Sequence, residues 1–139
     1  MTDLLDWAPP DGVEVLRVWL APLAECRTER PAGAVLPFIM VRRTGGGDDG
    51  LTDTGRYQVS VFDETEVKAM AFSATVHRRV RLLAGRFAGP QAVALPPGGD
   101  VHADDLRTIE SFRPEPYGAE PTVYRVRAVY EAHLRLSAA

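Results

Sequence analysis

The chain has 139 residues, of which 45% are hydrophobic and 25% charged, and its formal net charge is −3. These values predict one soluble globular domain over residues 1–139. The net negative charge argues against a general affinity for nucleic acid or for an anionic membrane. Cys26 is the only cysteine, which excludes an intramolecular disulfide and a thiolate zinc site.

The first residues contain acids where a signal peptide would carry lysine or arginine. No apolar run approaches the roughly 18 residues of a membrane span. We therefore expect the protein to be made and used in a cytosol-like compartment.

The N-terminal part predicts a short lead over residues 1–12 and a helix from Val13 to Ala24. Apolar residues recur there at steps of three and four, which is typical of one buried helix face. Pro10 or Asp11 can open this helix, and Pro22 should distort or stop its last turn.

Three strands are predicted next, a short one at Glu25–Thr28 and longer ones at Val35–Thr44 and Arg56–Phe62. In Val35–Thr44 both sets of alternating residues are apolar, which favours a strand buried on both faces. The segment TGGGDDGLTDTG, residues 44–55, joins the two longer strands. Its glycines and aspartates predict a long flexible loop or arm.

A long helix is predicted from about Glu64 to Arg86, with Asp63 as its N-cap and Glu66 at the capping-box spacing. The face expected in the core carries Ala69, Phe72, Val76, Val80, Leu83 and Phe87. Residues 78–81, Arg-Arg-Val-Arg, lie on the expected exposed flank, where we favour ion pairs over contacts with phosphate.

The C-terminal part predicts a loop over residues 88–103, a strand at Leu106–Phe112, a proline-punctuated segment at 113–121 and a strand at Val123–Leu136. The last strand alternates clearly between apolar and charged residues, which predicts one buried and one polar face. The whole order indicates an α+β, two-layer sandwich, with one mostly antiparallel mixed sheet and helices packed on one face.

No motif in the sequence points to catalysis, a metal or a cofactor. The three histidines, His77, His102 and His133, lack the spacing of metal-binding or catalytic pairs, and we expect surface roles for them. Cys26 is expected to be a buried, unreactive thiol. The acidic run at residues 48–53 lacks the alternating ligands and closing glutamate of a calcium loop. We therefore expect no enzyme, no metal and no cofactor.

Four stretches, in order along nearly the whole chain, carry a resemblance to a known family. They are WLAPL (19–23), ERPAGAVLPFIMVRRTGG (29–46), LTDTGRYQVSVF (51–62) before an Ala- and Arg-rich helix, and RPEPYGAEPTVYRVRAVYEAHLRL (113–136). Together they resemble the tail-terminator family of long-tailed, siphovirus-type bacteriophages. The proline-rich stretches near 90–97 and 113–121 depart from the family pattern.

The resemblance implies a structural virion protein that assembles into a homo-hexameric ring. Such a ring caps the head-proximal end of the tail tube, ends its polymerisation and joins it to the head–tail connector protein. The implied partners are further copies of the chain, the tail tube protein and the connector. DNA would pass through the lumen without specific binding, and assembly would take place in the host cytoplasm.

A ring subunit needs surfaces that reach its neighbours, and residues 44–55 are the first candidate. Leu51 is expected to anchor in a groove of an adjacent subunit, and the aspartates of the segment are expected to meet arginines there; the alternative is a mobile loop that touches nothing. The candidate inter-subunit or docking residues are Asp48, Asp49, Leu51, Asp53, Arg78, Arg79, Arg81, Arg125 and Arg127.

Three other functions compete with the ring. The nearest is another phage neck or head-completion connector protein. The others are a soluble binding module with a ligand pocket on the sheet and an unrecognised hydrolase.

Overall fold

The computed structural model describes residues 11–48, 52–84, 91–95, 100–118 and 122–137. Within them the chain forms two helices and one mixed six-stranded sheet, in agreement with the predicted α+β class. Neither helix is long and apolar enough to cross a bilayer. The elements are α1 (Gly12–Leu20), β1 (Glu25–Arg27), β2 (Phe38–Asp48), β3 (Thr52–Asp63), α2 (Glu66–Leu82), β4 (Ala92–Ala94), β5 (Asp100–Glu115) and β6 (Tyr124–Ser137).

The strand order in the sheet is β1-β2-β3-β6-β5-β4. β1 runs parallel to β2, and every other neighbouring pair is antiparallel. Both edge strands have only three residues, so the long strands β2 and β5 extend well beyond their outer neighbours. The predicted mixed, mostly antiparallel sheet is thus confirmed.

Helix α1 begins where the sequence predicts and ends earlier. The Asp11 carboxylate accepts hydrogen bonds from the backbone N–H groups of Val13, at 3.1 Å, and Glu14, at 3.4 Å. The helix ends at Leu20 instead of Ala24. Pro22 accounts for this early end, because proline lacks the N–H that another helical turn would need.

The predicted flexible loop at residues 44–55 is wrong over most of its length. β2 continues to Asp48 and β3 starts at Thr52, so the two strands pair almost to the tip. Gly46 has a φ of +110°, and a Cβ there would collide with the Thr54 carbonyl oxygen. Gly46 thus permits the close approach of the two strands. Residues 49–51 lie outside the described residues.

Helix α2 is shorter at both ends than the predicted 64–86. β3 continues through Asp63, so the N-cap is Thr65, whose hydroxyl accepts from the N–H of Lys68 at 3.1 Å. The predicted capping box of Asp63 and Glu66 is therefore wrong; Asp63 accepts from the N–H of Glu64 at 2.7 Å. The helix ends at Leu82, followed by a turn at residues 83–84.

The C-terminal strands are more extensive than predicted. β4 and the first residues of β5 lie inside the predicted loop 88–103. β5 is 16 residues long and pairs with β6 through three register shifts. Pro114 fits this strand because β4 pairs only with Asp100–His102, which leaves that side of β5 without a described partner strand at the proline. β6 confirms the predicted strand Val123–Leu136.

The predicted packing of α2 on the sheet is confirmed for its described residues, and Phe87 of the predicted face lies outside them. Val76, Val80 and Leu83 are fully buried, with Phe72 packed beside them. They share one cluster with alternate residues of two strands, Tyr57, Val59 and Val61 of β3 and Val126, Ala128, Tyr130, Ala132 and Leu134 of β6.

A second, smaller cluster confirms burial on both faces for Phe38–Val41 only, since Val35 and residues 42–44 of the predicted strand are exposed. Ile39 and Val41 belong to the main cluster, whereas Phe38 and Met40 pack with Phe62 and Val123. This small cluster lies where β2 begins and β3 ends, because Phe38 pairs with Phe62.

Candidate assembly surfaces

Of the acidic docking candidates in the hairpin, only Asp53 has a side chain that the structure describes. Asp48 is the last residue of β2 and stands opposite Asp53. Asp53 is 4% exposed, and its Oδ2 accepts hydrogen bonds from Arg43, at 2.7 Å, and from the Tyr57 hydroxyl, at 2.8 Å. Asp53 is therefore an internal residue, which corrects its assignment as a docking candidate. Asp49 and Leu51 lie outside the described residues.

Two glycines make room for the buried end of Tyr57. A Cβ at Gly12 in α1 or at Gly55 in β3 would overlap the tyrosine hydroxyl. Burial of the hydroxyl raises the pKa of Tyr57 above its usual range, and the hydrogen bond from the hydroxyl to Asp53 raises it further. The phenol thus stays protonated and donates to the carboxylate, which ties the hairpin to the core near α1.

The arginines of α2 have three different environments. Arg78 is exposed, and its described contact is a hydrogen bond of 3.4 Å to the Thr75 hydroxyl. The guanidinium of Arg79 lies 3.8 Å from the centre of the Trp19 ring, and its Nε donates to the Trp19 carbonyl at 2.9 Å. Arg81 donates to the Leu106 carbonyl at 2.9 Å. Arg79 and Arg81 therefore join α2 to α1 and β5, and Arg78 is the most accessible of the three.

Arg125 and Arg127 are engaged with β5 instead of facing solvent freely. Both pair with Glu115, at 3.0 and 3.3 Å, and Arg127 also approaches Glu110 at 3.9 Å. Their side chains are about one-fifth exposed. The predicted polar face of β6 is thus covered here by internal ion pairs.

The same pattern continues towards the other end of β6. Glu131 lies 3.6 Å from Arg56 and 3.9 Å from Arg107. Arg135 pairs with Asp104 at 3.1 Å in an exposed position. Carboxylates shared between arginines, such as Glu131 between Arg56 and Arg107, give this sheet face ion pairs across three strands.

His77 is not the solvated residue that the sequence predicts. Its Nδ1 lies 2.6 Å from the hydroxyl of the buried Tyr130, and the two rings stack at 5.8 Å. Burial of the imidazole lowers the pKa of His77, and the positive charge of Arg81 lowers it further. Cys26 is buried as predicted, and burial raises the pKa of its thiol to about 12, so it remains protonated at neutral pH.

Several exposed apolar side chains belong to residues near the end of the sheet where β2 begins, β3 ends and β6 begins. Tyr124, the first residue of β6, pairs with Asp63, the last residue of β3. We call this region the Tyr124 end. It carries four of the six large hydrophobic side chains that are exposed in the described part of the chain, namely Val35 (77%), Val67 (80%), Met70 (38%) and Tyr124 (45%).

A shallow groove of about 290 Å³ opens at the Tyr124 end. Tyr117 lines it, with its ring centre 4.9 Å from that of Phe62 and 5.5 Å from the guanidinium carbon of Arg125. The apolar patterns of the sequence do not predict this surface, although Val67 lies off the predicted apolar stripe of α2. The lining residues are Glu66, Pro114, Glu115, Pro116, Tyr117, Tyr124 and Arg125.

Among the described residues, no three histidine, cysteine or acidic side chains are placed to hold a metal ion. The features described for these residues are the ion pairs on the polar face of β6 and the exposed side chains of the Tyr124 end. We take the Tyr124 end and Arg78 as the accessible candidates for contact with another protein.

Comparison with known proteins identifies a structural likeness and no sequence family. No family model matches the chain, and no curated protein does. Among solved structures, the fold is similar to that of a chain described as "Virion of native gene transfer agent (GTA) particle". The match has a TM-score of 0.50 at 12% identity and covers 87% of this chain and 84% of the other. At this identity the likeness demonstrates a shared fold.

Proposed function

We propose that this protein is a structural subunit of a bacteriophage-like virion. The observation that carries the proposal is the shared fold with a chain of a gene transfer agent virion, which extends over most of both chains. The ordered sequence resemblance to phage tail terminators supports the same class independently. Fold alone does not specify function, so the two lines are combined.

Within that class we propose a tail terminator. The subunits form a homo-hexameric ring at the head-proximal end of the tail, where the ring stops tube polymerisation and joins the tube to the connector. In the proposed subunit both helices lie on one face of the sheet. In the assembled ring, DNA passes through the lumen without specific binding. In this role the protein has no catalytic activity and needs no cofactor.

The mass of the assembly in solution and its image by electron microscopy test this proposal. We expect rings of about six times the 15.2 kDa subunit, and gold-labelled protein at the head-proximal end of purified tails. A monomer that is absent from purified particles would contradict the virion role. If the label instead lies on the neck and is absent from the head-proximal end of purified tails, the protein is another connector protein. That result would contradict the terminator role.

A further inference from the structure

Each edge of the sheet is covered at one end only. β1 pairs with β2 at Phe38–Met40, and β4 pairs with β5 at Asp100–His102. Among the described strands, none pairs with the rest of the outer side of β2 or of β5. The Leu106 carbonyl of β5 accepts from Arg81 at 2.9 Å, and a carbonyl oxygen can accept a second hydrogen bond. Long uncovered strand edges of this kind are templates for pairing with another strand.

The two uncovered segments lie at the same height of the sheet. Strand pairing through β3 and β6 puts Arg42 of β2 on one line across the sheet with Glu110 of β5, and Asp48 on one line with Ala103. The three antiparallel pairings in between make β5 antiparallel to β2. A second copy that stands beside the first in the same orientation, without a shift along the strands, thus brings its β2 antiparallel to β5 over these residues. We call Arg42–Asp48 the β2 edge and Ala103–Glu110 the β5 edge.

The residues that fall opposite each other in this side-by-side arrangement are compatible. Arg42 of one copy falls opposite Glu110 of the other, and Gly45 falls opposite Arg107. No line along the described β2 edge sets like charges opposite each other, which would destabilise the pairing. No heavy atom lies within 4 Å of the place that a Cβ would occupy at Gly45, so the β2 edge has room there for a long side chain. Because Glu110 also pairs with Arg127 of its own chain at 3.9 Å, it suits this register without adding a strong attraction.

A hollow lies next to the β2 edge, and an exposed apolar side chain lies on the β5 edge. The hollow, of about 370 Å³, adjoins the end of β1 and is lined by Val13, Thr28, Glu29, Val41, Arg42 and Arg43. Ile109 is the extra residue of a bulge in β5, because its two neighbours in sequence pair with adjacent residues of β6. Its side chain is 37% exposed, and a bulge can re-aim a side chain. In the side-by-side arrangement Ile109 falls opposite the step from Arg43 to Arg42, at the hollow, where seating it would remove apolar surface from water.

We propose that the β2 edge pairs antiparallel with the β5 edge of a second copy of this chain, and that Ile109 of one copy enters the hollow of the other. The inference rests on the proposed ring and assigns the contact between its subunits. The two edges are different surfaces, so each copy uses one edge towards each neighbour. Such a head-to-tail contact continues from copy to copy and closes into a ring when the rotation between copies allows it.

Disulfide cross-linking tests which edges meet. Gly45→Cys and Arg107→Cys are co-expressed with tags of different length, each in a Cys26→Ala background, and the assembled protein is oxidised. Opposite residues of antiparallel strands have Cα atoms roughly 4.5–5.5 Å apart, which suits a disulfide. We expect about tenfold more mixed dimer than from Gly45→Cys with Arg135→Cys, a control at an exposed position of the inner strand β6. A mixed dimer no more abundant than in this control would overturn the proposal, as would a predominance of dimers of one variant with itself.

A matched pair of variants tests the hollow. Ile109→Asp places a charge on the side chain that enters it; Leu82→Asp does the same at the end of α2, at an equal exposure of 37%. We expect Ile109→Asp to reduce the fraction of rings in mass photometry on the order of tenfold or more, and Leu82→Asp to leave it near wild type. Thermal unfolding of both purified variants confirms that each is folded. Equal ring fractions for the two folded variants would overturn the seating of Ile109.

Failure of the edge pairing and failure of the proposed function give different results. If wild-type protein forms no ring in solution or in particles, the proposed ring fails and the edge pairing fails with it. If wild-type rings form but the β2 and β5 edges do not cross-link, the proposed function stands and only the edge pairing is overturned.

Discussion

The side chains of Asp53, Arg43 and Tyr57 hold the β2–β3 hairpin to the core. Asp53 accepts from both Arg43 and Tyr57 in a position that is 4% exposed. A buried carboxylate needs such partners, because an unpaired charge is strongly destabilising away from water. The hairpin is therefore an anchored part of the fold and not a free arm.

Replacing this carboxylate should be costly. Asp53→Ala removes both hydrogen bonds and leaves the buried Tyr57 hydroxyl without its acceptor, so we expect a loss of about 2–3 kcal/mol in the free energy of unfolding. Asp104→Ala, which breaks an exposed ion pair with Arg135, should cost less than about 1 kcal/mol. Chemical denaturation measures both, and equal costs would show that Asp53 is not a structural anchor.

His77 should make stability depend on pH. Its pKa in the folded protein is lowered from the ordinary value of 6.5, so unfolding is accompanied by proton uptake. The contribution of the neutral ring is present above about pH 6.5 and is lost as the pH falls through the lower, folded-state pKa. Between about pH 7.5 and about pH 5, wild type should thus lose more stability than His77→Gln. Parallel pH curves for the two proteins would contradict this.

At the level of helices and strands, α2 is held to the rest of the molecule in two ways. Its apolar face packs on β3 and β6, and Arg79 clamps it to Trp19 of α1 by hydrogen bonds in both directions. The first contact follows from helical periodicity, whereas the second joins residues that are far apart in the sequence. Both fix the position of the helix over the sheet.

A cavity on the packed face of α2 should destabilise the protein measurably. Val76 is fully buried, so Val76→Ala should cost about 1–3 kcal/mol through lost burial and an incompletely filled space. Arg78→Ala on the exposed side should change the free energy of unfolding by no more than about 0.5 kcal/mol. A negligible effect of Val76→Ala in urea unfolding would refute the assignment of this helix face.

The hairpin offers a matched pair of glycines within one strand. Gly46 combines a positive φ with a tight approach to Thr54, so Gly46→Ala should destabilise the protein by about 1–3 kcal/mol. At Gly47 no heavy atom lies within 4 Å of the place that a Cβ would occupy, and Gly47→Ala should be neutral or slightly stabilising. Melting temperatures of the two variants test this; a ranking in the opposite order would mean that the pairing at Gly46 is not maintained in solution.

For the whole molecule, the main cluster is built from residues of one chain, including Leu16, Val41, Tyr57, Val80 and Tyr130. Ring formation would add contacts outside this core. Folding of the subunit and its assembly should therefore be separable processes.

If the subunits form the proposed ring, we expect dilution to dissociate it without unfolding the subunit. Mass photometry should follow the loss of the assembly, while far-ultraviolet circular dichroism should stay constant over the same concentrations. Simultaneous loss of both signals would show that the subunit is stable only within the assembly.

Much of the fold can be predicted from local patterns of apolar and polar residues. The alternation along Val123–Leu136 predicts a strand with one buried face, and the three-to-four-residue repeat predicts the buried side of α2. Periodicity is a property of neighbouring residues, so it can be read without knowing the partners. The residues at which helices and strands end are harder to predict from the sequence. The start of α2, for example, depends on how far β3 remains paired with β6.

By itself, the sequence determined the α+β class, the buried faces of α2 and β6, and the resemblance that suggests a virion role. Only the tertiary structure decided that residues 44–48 and 52–55 form paired strands, that Asp53 is buried, and that several exposed apolar side chains belong to residues near the Tyr124 end. The physical reason is the same in each case. These features depend on contacts between segments that are distant in the chain, and composition alone makes a glycine- and aspartate-rich stretch resemble a loop until its partner strand is known.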